Sequence, residues 1–153
     1  MSFTTPNGSR GVSQPGLAMS FLKFFNKFSA GRIRKTGKFG ELPSLVLTTV
    51  GSKSGLARTT PLAYFPDGKS WLIVASFAGA AKNPSWYYNL AAHPDKVSIE
   101  FSGRRESVVA EQLHGAQREA AWRRITAASQ RFADYQSKTD RELPVIRLTA
   151  RNN

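Results

Sequence analysis

Cysteine is absent from the 153 residues, which excludes disulfides, thiolate metal sites and a cysteine nucleophile. Histidine is nearly absent: His93 and His114 stand without a cluster of acids at helical spacing around them, so no metal centre is expected. No G-x-S-x-G elbow encloses Ser54, Ser76 or Ser85, which argues against a serine hydrolase. No apolar run approaches the roughly 20 residues that a membrane-spanning helix needs. The apolar stretch at 17–28 is broken by Lys23 and Lys27, which argues against a secretory signal. Acids are the other scarcity: 10 stand against 22 Lys plus Arg, a formal net charge of +12. Residues 1–40 hold seven basic side chains (Arg10, Lys23, Lys27, Arg32, Arg34, Lys35 and Lys38) and no acid. Such an excess favours an anionic partner, whether nucleic acid, an acidic membrane surface or a polyanionic small molecule.

With 41% hydrophobic and 11% aromatic residues, the chain has the makings of one folded domain. Residues 1–15, polar with Pro and Gly, read as a flexible tail. Residues 16–40 read as a basic amphipathic helix and connector, with Leu17, Phe21, Phe24, Phe25 and Phe28 at helical spacing. That stripe suits either the headgroup region of an anionic membrane or the domain's own surface. In residues 41–153 six strands are predicted: SLVLTTV, the segment carrying Pro61, SWLIVASF, KVSIEF, ESVVAEQL and LPVIRLTA. A short helix fits NPSWYYNLAAHP, with Asn83 as its cap and Pro84 first. A second helical pattern runs from Ala116 to Lys138, with a break near Ser129. Short turns between the strands favour a small antiparallel barrel with flanking helices over a parallel sheet.

Two stretches bear on chemistry. In GSKSG, Gly51 and Gly55 allow backbone N–H groups to converge in a nest flanked by Lys53 and Arg58. A Gly-bounded hairpin with solvated basic residues is the plain alternative. In ASFAGAAKNPSWYYNLAAHP, 75–94, a nearly bare loop precedes three rings, Trp86, Tyr87 and Tyr88. A bare loop lets a planar ring approach the backbone, a helix start at Asn83 favours an anion, and Lys82 adds a cation. Trp86 also suits the core. Together the two stretches describe a pocket for a flat heterocycle with an acidic tail.

Residues 47–101 carry two motifs almost intact, G-x-K-[ST]-G-x-x-R-x-x-P-L and A-S-x-G-G-x-x-K-N-P-x-W-Y-x-N-L, and FADYQSKTDRELPVI follows at 132–146. In these the chain resembles the deazaflavin-dependent nitroreductases of actinobacteria, which use coenzyme F420. The resemblance implies a split β-barrel like that of the flavin-binding pyridoxamine-phosphate-oxidase group. It also implies hydride transfer from reduced F420 to a quinone, an enone or other activated alkene, or a nitroaromatic. The cofactor's acidic tail is expected along Ser52, Lys53, Ser54 and Arg58, with Thr59, Thr60, Pro61, Leu62 and Ala63 beside it. The ring is expected against Val74, Ala75, Ser76 and Phe77 and the helix residues Ser85, Trp86, Tyr87, Tyr88 and Asn89, with Lys82 and Phe132 adjoining. Trp86 and Tyr87 are expected to brace it and Tyr88 to serve the fold. Ser76 and Tyr135 are the expected catalytic hydroxyls. Relatives that reduce nitroimidazoles carry tyrosines where Ala63, Ser129 and Phe132 stand here, and a lysine is common at Phe77. A more open pocket follows, suited to quinones and enones. The expected location is cytoplasmic, with contact through 16–38 to the inner face of the membrane; no nucleic-acid partner is expected. A deazaflavin carrier without efficient turnover is the alternative.

Overall fold

The computed structural model describes residues 3–11, 30–39 and 42–151. The phenylalanine stripe at 17–28 lies outside the described residues; residues 30–36 are helical (α1). The strands are β1 (Lys38–Phe39), β2 (Leu42–Val50), β3 (Ala57–Ala63), β4 (Phe65–Asp67), β5 (Ser70–Val74), β6 (Val97–Phe101), β7 (Arg104–Gln112) and β8 (Val145–Ala150). The helices are α2 (Ser85–Ala92), α3 (Gly115–Ala128) and α4 (Gln130–Ser137). The expected six strands are all present, but the count is corrected to eight among the described residues. The additions, β1 and β4, have two and three residues, too few to leave a readable alternation. Only Tyr64 separates β3 from β4, so taken as one bent strand they bring the count to seven.

The ladder runs β3-β2-β6-β7-β8-β5-β4, with β1 added at the start of β2, and every pairing is antiparallel. Its two ends, β3 and β4, are joined by Tyr64 alone. Two Cα steps reach about 7 Å, so the sheet curls until its ends meet. The result is a curled antiparallel half-barrel with helices outside.

Alternation sorts the side chains between two cores. Leu45, Leu47, Ile73, Ile99, Val108, Ala110, Ile146 and Leu148 fill the inside. Leu72, Val74 and Val145 face outward, where Leu113, Ala121 and Ile125 of the α3 side, Phe132 of α4 and Leu143 cover them. Ala30 and Ile33 of α1 cover Val46, which is why β2 is buried on both faces and shows no alternation there. Ser129, with extended backbone (φ −150°, ψ 108°), parts α3 from α4 at the expected break.

The expectation of a flexible tail is corrected for residues 3–11, which are bonded to the domain. Phe3 packs edge-on to Tyr87 at 5.6 Å, and Thr4 N–H donates to Gln112 (3.3 Å). Gly8 N–H donates to Ala81 O (2.7 Å), and Asp140 accepts from the hydroxyl of Ser9 and the N–H groups of Ser9 and Arg10. Backbone N–H groups, with the Ser9 hydroxyl, make these bonds, and composition does not register such donors.

Candidate active site

Beyond β5 the chain turns sharply through Phe77–Gly79. Phe77 (φ 45°) and Ala78 (φ 54°) are non-glycine residues in the left-handed region, a conformation costing roughly 1–3 kcal/mol each. Gly79 (φ 81°) follows, and a Cβ there would lie 2.7 Å from Tyr135 O, so only glycine lets this loop close against α4.

Arg141, only 2% exposed, holds the loop from below. Its Nη1 donates to Ala75 O (2.8 Å) and Asn83 Oδ1 (2.7 Å), its Nη2 to Ser76 O (2.8 Å) and Ala80 O (3.1 Å), and its Nε to Ala80 O (3.2 Å). All the N–H donors of the guanidinium are thus engaged, none by a carboxylate. Burial lowers its pKa from the ordinary arginine value, against an opposing influence of Tyr88 and Tyr87. A second tie comes from the N-terminal segment: Asn7 Oδ1 accepts from Asn83 N–H (2.9 Å) and the Tyr88 hydroxyl (2.9 Å), and Asn83 Nδ2 donates to Thr5 O (3.0 Å). This corrects the expected cap. Pro84 precedes α2 without a side-chain cap bond, because the Asn83 amide is engaged by Arg141 and Thr5.

Above the loop opens a cavity of about 480 Å³, in the size range of small-molecule sites. Four segments line it: Thr60–Ala63 of β3; Val74, Ser76, Phe77 and Ala78; Pro84, Ser85 and Trp86; and Arg131, Phe132 and Tyr135 of α4. Trp86 is 6% and Phe132 7% exposed, so both are fixed walls; Phe132 also packs edge-on to Phe65 (5.4 Å) and Tyr135 (5.7 Å). Thr60, Ser76, Ser85 and Tyr135 bring hydroxyl groups to the lining residues, and none of these hydroxyls is hydrogen-bonded to another described residue. Four donors are therefore free for a ligand inside a largely apolar wall.

The basic turn is built otherwise. Gly51 N–H donates to Leu56 O (2.8 Å), Gly55 N–H to Gly51 O (3.0 Å), Leu56 N–H to Ser54 Oγ (3.1 Å) and Ser52 N–H to Asn89 Oδ1 (3.0 Å). The tight turn thus engages the N–H groups of Gly51, Gly55 and Leu56 within itself and that of Ser52 through Asn89, and exposed Lys53 and Arg58 carry its charge, without an ion pair among the described residues.

Of the predicted residues, Thr60, Pro61, Leu62, Ala63, Val74, Ser76, Phe77, Ser85, Trp86, Phe132 and Tyr135 meet at the cavity. Ser52, Lys53, Ser54, Arg58 and Thr59 lie along the exposed turn and the start of β3, and Lys82 is exposed on the loop. Ala75 faces the inner core, since neighbours on an extended chain point oppositely. Tyr87 turns inward rather than toward the cavity, donating to Gln112 Oε1 (2.6 Å) and accepting from Thr5 N–H (3.0 Å). Asn89 is buried, its Nδ2 donating to Thr49 Oγ1 (3.1 Å), and exposed Tyr88 reaches Asn7. Sequence reasoning missed Ala78, Pro84 and Arg131 in the lining, and Arg141 beneath it. The first two lie inside the stretch already singled out; Arg131 sits one residue before Phe132; no local pattern marks Arg141.

The profile of a family described as F420H(2)-dependent quinone reductase matches residues 23–150. An F420H(2)-dependent quinone reductase of Mycobacterium tuberculosis (strain H37Rv) is 42% identical over 115 residues, 73% of this chain and 76% of that protein. A solved F420-H2 dependent reductase is similar with a TM-score of 0.63 at 37% identity, covering 69% of this chain and 93% of its own. A solved structure described as a domain-swapped dimer gives 0.65 at 30% identity, covering 86% and 96%. Among the described residues no helix is long and apolar enough to cross a membrane.

Proposed function

The chain belongs to the F420H(2)-dependent quinone reductase family, and from that premise we propose that its cavity seats the ring of reduced coenzyme F420 against a quinone that takes the hydride. The observation that carries this reading is convergence: the segments bearing the two motifs, 60–63, 74–78 and 84–86, line one cavity of about 480 Å³. The lining suits a flat ring. Trp86 and Val74 are apolar and fixed, Ala63 and Ala78 leave room, and the free hydroxyls suit ring carbonyls.

Bound there, the reduced deazaflavin supplies a hydride from its C5 position. The chain's own work is to orient and to stabilise charge. Val74, Trp86 and the Thr60–Ala63 edge fix the ring plane. The Ser76 and Tyr135 hydroxyls donate hydrogen bonds to the acceptor oxygen on which negative charge grows, a contribution typically of several kcal/mol where water is excluded. Lys53 and Arg58, with Ser52, Ser54 and Thr59 alongside and Lys82 across the loop, hold the anionic tail. Tyr87, Tyr88 and Asn89 support α2 from behind. Ala63, Ser129 and Phe132, in place of bulkier hydroxylated rings, leave space that favours quinones and enones over nitroimidazoles. The fold is read as the split β-barrel of flavin-binding proteins, supported by the meeting of the ladder's ends at Tyr64. The acid-free, seven-fold basic stretch of residues 1–40 supports a cytoplasmic protein that touches anionic lipid through 16–38; co-sedimentation with anionic vesicles that persists after deletion of residues 1–30 would remove that element.

The test is a fluorescence titration of the purified chain with F420 and with FMN, followed by oxidation of the reduced cofactor with a panel of quinones and enones. Binding of F420 with quinone-dependent turnover is expected. Preference for FMN refutes the cofactor assignment, and tight F420 binding without acceptor-dependent oxidation favours the carrier alternative.

A further inference from the structure

Among the described residues Arg131 is the one charged side chain of the cavity lining. It stands on the second position of α4, four residues before Tyr135, so the two lie on one face of the helix and both border the cavity. Of the other arginines on or beside these helices, Arg124 donates to Asp67 Oδ1 (2.9 Å) and Pro66 O (2.8 Å), Arg147 to Asp67 Oδ2 (2.9 Å), and Arg118 to Leu143 O (3.0 Å), while exposed Arg123 has no side-chain partner among the described residues. Arg131 has no hydrogen bond or ion pair among the described residues; the acid nearest in sequence, Asp134, accepts instead from Gln130 (3.2 Å). Its exposed guanidinium remains available, with all its donors, at the rim of an apolar cavity whose other polar groups are neutral hydroxyls.

We infer that Arg131 is a specificity-determining residue that recognises acceptors bearing an anionic substituent, a sulfonate or carboxylate on a quinone or related flat ring. The inference rests on the quinone-reductase reading for its setting. A planar guanidinium matches the paired oxygens of such a group. A low-dielectric wall on one side concentrates the field of a single cation. The anionic group is a spectator: the quinone still takes one hydride and one proton from water to become the hydroquinone, and no bond to the substituent changes.

The test compares 1,2-naphthoquinone-4-sulfonate with neutral menadione in the full-length, F420-dependent reaction, for wild type, Arg131→Gln, Arg131→Lys and Arg123→Gln. Arg123 is exposed on α3 and lies outside the lining, so its variant loses the same net charge elsewhere. A second readout needs no turnover: quenching of tryptophan fluorescence by naphthalene-2-sulfonate, which accepts no hydride, with F420 saturating. For Arg131→Gln the ratio of kcat/KM for the sulfonate to that for menadione is expected to fall about tenfold, mainly through KM, and naphthalene-2-sulfonate to bind about tenfold more weakly. Arg131→Lys should recover part of both, and Arg123→Gln should change neither by more than about twofold. Equal losses on both quinones, or an Arg123 variant as impaired as the Arg131 variant, overturn the inference. If wild type reduces neither quinone, the functional reading fails, and sulfonate binding alone decides Arg131: unchanged affinity in Arg131→Gln overturns its role.

Discussion

The loop at 75–84 and the turn at 51–56 are both rich in small residues, but the loop borders the cavity and the turn lies outside its lining. The loop is tied from afar. Arg141 reaches four of its residues across separations of 58 to 66 positions, Asn7 and Thr5 reach Asn83 across 76 and 78, and Gly79 fits only because it lacks a side chain. The turn closes mostly on itself, with Asn89 as its tie to α2 and with its cations in solvent. Bareness therefore has two causes. In the loop it lets a buried cation reach backbone carbonyls; in the turn it lets the chain reverse, with Lys53 at its tip exposed.

Arg141→Gln attacks the contrast where the effect is largest. It leaves carbonyls of Ala75, Ser76 and Ala80 short of donors, and the expected loss is about 3 kcal/mol or more of stability in urea unfolding. Lysine, with fewer donors and no fork, should recover only part. Next, Ser76→Ala and Tyr135→Phe should each lower kcat roughly ten- to a hundredfold in steady-state quinone reduction, with the melting temperature nearly unchanged. A kcat equal to that of wild type in both variants would move the donor role to Thr60 or Ser85. Charge reversal of Lys53 or Arg58 should weaken F420 binding by about 1–3 kcal/mol in a fluorescence titration while leaving stability within about 0.5 kcal/mol. Unchanged affinity in both would place the acidic tail elsewhere.

The smallest effect concerns the N-terminal tie. The Ser9 hydroxyl, then the Arg10 and Ser9 N–H groups, hold the Asp140 carboxyl down at about 2. The folded value lies below the unfolded one, roughly 3.9. The contribution is therefore complete above about pH 4 and is lost as pH falls toward 2. The amide resonances of Ser9 and Arg10 should titrate with a midpoint near 2, and Asp140→Asn should abolish that titration. A midpoint in the ordinary carboxylate range would mean that the segment is not held there.

What the sequence made legible follows the range of each interaction. Strands with one face inside announced themselves through alternation, as Val108, Ala110 and Gln112 do against Val109 and Glu111 in β7. The break at Ser129 was readable for the same local reason. Asn83 misled because a good local cap met a stronger distant donor. The polar residues 3–11 misled because their partners lie 73 to 131 positions away. At the site, contiguous motifs located the right segments but not the right faces: Val74 and Ser76 border the cavity while Ala75 between them is core, and Trp86 borders it while Tyr87 turns to Gln112. Arg131 and Arg141 gain their meaning only from packing that brings α4 and the following chain onto β5.

The place of β8 in the ladder bears on how the molecule comes into being. β8 is the strand latest in the chain, yet it stands between β5 and β7, with Trp71 opposite Leu148 and Ala110 opposite the same residue. Without β8 the ladder would fall into two parts, β3-β2-β6-β7 and β4-β5, linked covalently at Tyr64 but not by ladder hydrogen bonds. Completion of the sheet thus depends on β8, whose long-range pairings with β5 and β7 unite the two. The same pairing brings Arg141, only four residues upstream, beneath the loop, so the sheet and the floor of the cavity are completed together.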